Sequence, residues 1–158
     1  MADSVAVGTD IGDVELVERF PMFAVGRDNA AFYRGWLDHE LRLQRCADCG
    51  HWCHPPSPMC PACWSWHVEP TPVSGRGTVY LLMWLHQGPP APGVDYARAP
   101  HPVVVVELEE QPGLRITSTV VEAAPGEVEI GLPVVVEWID RDGVPFPAFR
   151  PRRDGDPT

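Results

Sequence analysis

The sequence predicts a mainly β protein: an N-terminal helix, a four-cysteine metal ribbon and a C-terminal OB-like β-barrel. Three observations predict it. Cys46, Cys49, Cys60 and Cys63 form two matched CxxC pairs. Aromatic residues recur at helical spacing just before them, and β-branched runs bounded by glycine and proline follow them.

Residues 1–27 read as an acidic arm carrying Asp3, Asp10 and Asp13, with few pattern signals, a flexible segment or a partner-binding strand. Phe20, Pro21, Met22 and Phe23 are its docking candidates. The arm has neither a basic n-region nor an apolar h-region, so no signal peptide is expected and the thiols are expected to stay reduced in the cytoplasm. Residues 28–69 hold the helix and the ribbon. Asp28 or Asn29 is placed to cap a helix whose Phe32, Tyr33, Trp36, Leu37 and Leu41 share one stripe, with Gly35 weakening it on the opposite side.

Leu41, Leu43 and Cys46 alternate with polar residues, as in a short strand feeding a metal knuckle. A CxxC turn presents two thiolates from one tight bend, and two such turns complete a tetrahedral zinc shell. The connecting loop is short, but Pro55, Pro56 and Pro58 can fold it back. Disulfides or plain buried thiols are the bland alternative, and an iron–sulfur cluster needs the same four sulfurs; zinc is favoured because nothing else suggests electron transfer. Four cysteines leave no open coordination position, so the site is structural rather than catalytic. Cys53, between the knuckles, is a ligand substitute, a nucleophile or a passenger, and passenger is favoured. His51, His54 and His67 are expected on the surface nearby.

Residues 70–151 read as the barrel and 152–158 as a tail, with Pro70 and Pro72 marking a hinge. Strands are expected over 77–85, 102–108, 114–122 and 133–139, and the apolar runs 103–106 and 134–136 predict a sheet covered in part on both faces. Several short strands without helices between them fit a small closed barrel. The long break 86–101 contains Tyr96 and Arg98 among Pro89, Pro90, Pro92, Gly93 and Pro100, and is where ligand or partner contacts are expected.

The chain has 158 residues and a formal net charge of −10, with 12 basic residues that are all arginine. Such a chain repels a phosphate backbone, and it has no apolar run long enough to span a bilayer, so neither nucleic acid nor membrane is an expected partner. No serine–histidine–acid set, phosphate-cradling glycine loop or open metal site is visible, which makes an independent catalytic mechanism hard to build. Gly75-Arg76-Gly77 reads as a turn into the first barrel strand.

A helix followed by Leu41-Arg42-Leu43-Gln44-Arg45-Cys46, Cys49-Gly50, Pro55-Pro56, Cys60-Pro61 and Cys63 resembles the rubredoxin-like zinc ribbon of the acyl-CoA-associated family once called domain of unknown function 35. Ser74-Gly75-Arg76-Gly77-Thr78-Val79-Tyr80, residues 102–108, residues 131–137 and Phe146-Pro147-Ala148-Phe149-Arg150-Pro151 resemble its OB-fold barrel, so that the likeness covers residues 30–151. The resemblance implies one structural zinc and a non-catalytic accessory subunit in a hetero-oligomer with a thiolase-like, lipid-transfer-protein type aldolase that cleaves steroid side chains by retro-aldol reaction. It implies an acyl-CoA substrate shared with that partner. On this reading Phe32, Tyr33 and Trp36 are candidate partner anchors, and Arg76, Arg98 and Arg115 candidate contacts for CoA phosphates. Three rivals stand beside it: an acyl-CoA hydratase as the partner, a nucleic-acid-binding ribbon and barrel, and a self-sufficient enzyme using Cys53 with His51 or His54.

Overall fold

The computed structural model describes residues 11–88 and 94–156. Residues 1–10 of the expected arm, Pro89, Pro90, Pro92 and Gly93 of the long loop, and the last two tail residues lie outside them. The chain divides into two units, residues 1–73 and 74–158, each with its own core.

In the first unit the sequence 13–27 is folded rather than arm-like. Helix α1 (Asp13–Arg19) buries Leu16, and Phe20 just after it is 1% exposed. Helix α2 (Ala30–Leu37) supplies the other half of that core. The Phe20 ring packs 5.0 Å from Tyr33 and 5.8 Å from Trp36, centroid to centroid, and Phe23 closes on the same two rings. The segment was hard to read because its apolar residues serve one short helix and one turn, too few for a periodic signal. An ion pair of 2.6 Å between Arg34 and Asp13 joins the two helices.

The expected capping residue does something else. Asn29 turns its side chain back on the preceding turn, accepting from the Gly26 amide at 2.7 Å and donating to the Ala24 carbonyl at 2.9 Å. Gly35 is a packing requirement rather than a weakness. A Cβ there would sit 2.5 Å from the Glu40 carbonyl oxygen, where the chain folds back against the helix.

The ribbon sheet follows in the order β2-β1-β3, with β1 (Arg42–Cys46) central, β2 (Trp52–Cys53) and β3 (Val68–Pro72) antiparallel to it. Pro70 and Pro72 therefore lie in a paired edge strand and not in a hinge. Prolines survive there because the missing N–H faces away from the neighbour.

The second unit is one curled antiparallel sheet, an OB-like half-barrel. Its strands are β4 (Arg76–Leu85), β5 (His101–Leu108), β6 (Arg115–Ser118), β7 (Pro133–Arg141) and β8 (Val144–Pro151), in the order β6-β5-β4-β7-β8. Val79, Val104, Val106, Leu108, Val134 and Phe149 fill the interior at 0–2% exposure. Val103 and Val105 on the other face of β5 are half-buried, so the run 103–106 is fully covered on one side only. Between Val79 and Leu81 the pairing with β5 slips by one residue, leaving Tyr80 without a partner in a β-bulge.

Two strand expectations change. The strand sought over 114–122 ends at Ser118, and Val120 instead forms a parallel bridge to Phe149 that begins to close the barrel. Strand β8 is additional; it holds Pro145, Pro147 and Pro151, which argue against a strand in a sequence reading. All three share the parity of Phe149, whose amide points away from β7 and donates to the Thr119 carbonyl at 2.9 Å. The sheet bonds to β7 therefore lose nothing to proline.

Candidate metal centre and its surroundings

The four expected cysteines converge. Their sulfurs all lie within 4.8 Å of one another, with Cys46 Sγ 3.6 Å from Cys63 and Cys49 Sγ 3.7 Å from Cys60. Four sulfurs about 2.3 Å from one zinc stand about 3.8 Å apart, close to the two shortest separations here, so the donor set suits a tetrahedral ion. No bond links the cysteines.

Each knuckle builds its pair in the same way. Gly50 donates its amide to the Cys46 carbonyl and Trp64 to the Cys60 carbonyl, both at 2.9 Å, while Cys46 and Cys60 donate to His51 and Ser65 carbonyls at 2.8 Å. The amides of Cys49 and Asp48 stabilise the Cys46 thiolate and lower its pKa. Burial alone would raise Cys60, but the amides of Cys63 and Ala62 outweigh it and hold that thiol at about 6. The Ser65 amide favours the Cys63 thiolate, yet the neighbouring cysteines outweigh it and push Cys63 up to about 12. Four clustered sulfurs resist sharing four negative charges, and a divalent cation removes that conflict. An ion held by all four has no position left for substrate and supplies rigidity, not chemistry.

Cys53 stands outside the set. It is 4% exposed, packs with Cys46, Cys60 and Val68, and turns its thiol to the His51 carbonyl at 3.8 Å. Burial, with the charge of Cys60, pushes it up to about 11, the opposite of an activated nucleophile. His54 is half-buried rather than open to solvent. Its ring packs 5.4 Å from Phe32, its Nδ1 has no hydrogen-bond partner among the described residues, and burial lowers its pKa to about 4. His67 is exposed and contacts Asp48 at 3.1 Å.

The aromatic stripe of α2 is mostly used inside its own unit. Trp36 is 4% exposed, while Phe32 and Tyr33 are half-buried. Phe32 lines a groove of about 420 Å³ together with Arg27, Gln44, Pro56, Trp66 and Val68. The three arginines do not meet. Arg76 pairs with Glu109 and Arg115 with Glu107, each at 2.9 Å, and Arg115 also stacks 3.5 Å over Tyr80. Both lie toward the Leu108 end of β5, whereas Arg98 is an exposed turn residue that precedes its His101 end.

Two residues on this surface escaped the sequence reading. Trp64 and Trp66 are 74% and 71% exposed beside the second knuckle. Trp64 adopts a left-handed backbone, φ 66°, at the place where the first knuckle has Gly50 at φ 75°. That conformation costs a bulky residue about 1–2 kcal/mol. The signal was the sequence itself: CxxC followed by glycine in one knuckle and by tryptophan in the other.

Comparison with known proteins places the fold and the metal centre. Residues 34–71 match the ChsH2 rubredoxin-like zinc ribbon domain and residues 70–138 the ChsH2 C-terminal OB-fold domain. A solved chain described as "Ltp2-ChsH2(DUF35) aldolase" superposes with a TM-score of 0.72 and 38% identity, over 82% of this chain and 98% of that one. This chain belongs to the ChsH2 (DUF35) family. Among ChsH2-like relatives, a "Probable enoyl-CoA hydratase alpha subunit" of Thermomonospora curvata is 39% identical over 132 residues, 83% of this chain and 40% of that protein. The "3-oxo-4,17-pregnadiene-20-carboxyl-CoA hydratase alpha subunit" of Mycobacterium tuberculosis is 40% identical over 119 residues, 72% of this chain and 34% of that protein. The chain therefore spans well under half of these two relatives. Among the described residues no helix is long and apolar enough to cross a membrane.

Proposed function

We propose that this chain is the accessory subunit of a thiolase-like aldolase, stapled by one structural zinc, in a complex that cleaves β-hydroxyacyl-CoA steroid side chains by retro-aldol reaction. One observation carries the reading: the 38% identity to nearly the whole ChsH2(DUF35) chain of an Ltp2-containing aldolase. The closed four-sulfur site and the buried, proton-holding Cys53 support a chain without chemistry of its own. The bond-breaking residues then belong to the partner. Contact with the shared acyl-CoA falls most readily to Arg98, since Arg76 and Arg115 already face carboxylates.

Co-expression with an Ltp2-type subunit tests this. A stable hetero-oligomer should co-purify, and release of the side-chain carbonyl product from β-hydroxyacyl-CoA should require the complex. A chain that remains apart from that subunit, or that turns over the thioester alone, refutes the proposal. A second reading, partnership with an acyl-CoA hydratase, is favoured by the two relatives described as hydratase alpha subunits. Capture of a hydratase subunit in place of the Ltp2-type protein would select it.

A further inference from the structure

Trp64 is an expensive way to build a metal knuckle. The hydrogen bond from its amide to Cys60 requires a left-handed residue, which glycine supplies without strain at position 50 and tryptophan supplies with it. The indole gains nothing from folding in return, being 74% exposed, and Trp66 two residues on is 71% exposed. A strained backbone that displays a large aromatic side chain to solvent marks a binding role rather than a packing one.

The surroundings narrow the occupant. From residue 46 to residue 75 the chain has no lysine or arginine, and its charged residues are Asp48 and Glu69, in a chain of net charge −10. Two arginines, Arg27 and Arg42, line the groove beside Trp66, but Asp28 lines it with them and Arg42 is paired with Asp38 and Glu40, so the surface carries no excess of positive charge with which to hold nucleic-acid phosphates or anionic lipid headgroups. It suits a protein face bearing guanidinium groups, which stack on indole faces and pair with carboxylates. Trp66 also opens onto the groove it shares with Phe32, Pro56 and Val68, a preformed recess beside the exposed rings.

We propose that Trp64 and Trp66 are the anchors by which this chain docks on an arginine-bearing face of its thiolase-like partner subunit. The inference rests on the reading under Proposed function and adds the surface and its chemistry. It moves the anchor role from the interior stripe of α2 to the outer knuckle.

The test is a binding titration between the zinc-loaded chain and a purified Ltp2-type subunit, with Trp64→Gly and Trp66→Ala as variants. Trp64→Gly restores the residue of the first knuckle, so zinc content and melting temperature should be kept or raised. Its affinity should fall by about 30-fold or more, the loss typical of a central anchor. Trp66→Ala, outside the knuckle hydrogen bonds, should also weaken binding. Added salt should weaken native binding more than variant binding. Native binding with both variants within about threefold of it overturns the anchor assignment and leaves the accessory-subunit reading standing. Absence of native binding overturns both. A homodimer in sedimentation that Trp64→Gly dissociates would show that the rings face a second copy, which also overturns the assignment.

Discussion

His54 makes the first unit sensitive to mild acid, and the size of the effect follows from its surroundings. Its pKa is about 4 in the folded chain against 6.5 for an exposed histidine, because most of the ring is taken out of water against Phe32, and Nδ1 has no hydrogen-bond partner among the described residues. The unfolded chain therefore binds the proton more readily, and stability rises with pH between the two values. Near neutrality the cost is small, since only about a quarter of the unfolded chains carry the proton at pH 7 and the folded ones almost none. Between pH 7 and pH 5 linkage takes away about 2 kcal/mol, and the loss stops growing below about pH 4. For a chain of this size that is about 4–8 °C in melting temperature. The assay is thermal unfolding of zinc-loaded protein at pH 7, 6 and 5, native against His54→Leu, whose apolar side chain carries no titrating group. The variant should lose markedly less stability over that interval. Parallel curves, or an imidazole that titrates near 6.5 in the NMR spectrum of the folded protein, would refute the reasoning.

Two further outcomes follow from the same unit. Cys60→Ser should release zinc to a chelator that leaves the native chain loaded, and open the loop 47–59 to protease; metal analysis after dialysis reads it directly, and full retention of zinc would remove Cys60 from the ligand set. Trp36→Ala should destabilise the first unit by about 3–5 kcal/mol, because the ring lies buried between Phe20, Phe23 and Phe32. Denaturant unfolding should register that loss even with no partner present, which separates a core role from an interface role.

The metal centre was legible because ligand chemistry forces a spacing onto the sequence: two CxxC pairs stay visible whatever surrounds them. The long barrel strands were legible for a similar reason, since Val104, Val106 and Leu108 must alternate to reach one core. What was hidden depends on pairing at a distance. The prolines of β8 read as breakers until the neighbouring strand shows which edge lacks donors. Arg76 looked available until Glu109, 33 residues away, came beside it. Trp36 and Trp64 look alike in sequence, yet one is enclosed by Phe20, Phe23, Phe32 and Tyr33 and the other is exposed.

The bulge at Tyr80 has an evolutionary reading. Val79 faces the core opposite Val106, Leu81 faces outward opposite Val105, and Leu82 returns to the core side opposite Val104. Removing residue 80 would leave that in-out-in order unchanged, because the strand's phase is already carried across the extra residue. A deletion anywhere between 81 and 85 would instead turn the rest of β4 inside out. Position 80 is thus where this barrel can gain or lose a residue and keep its interior. The length of the strand is free to drift at one point and is held at its neighbours.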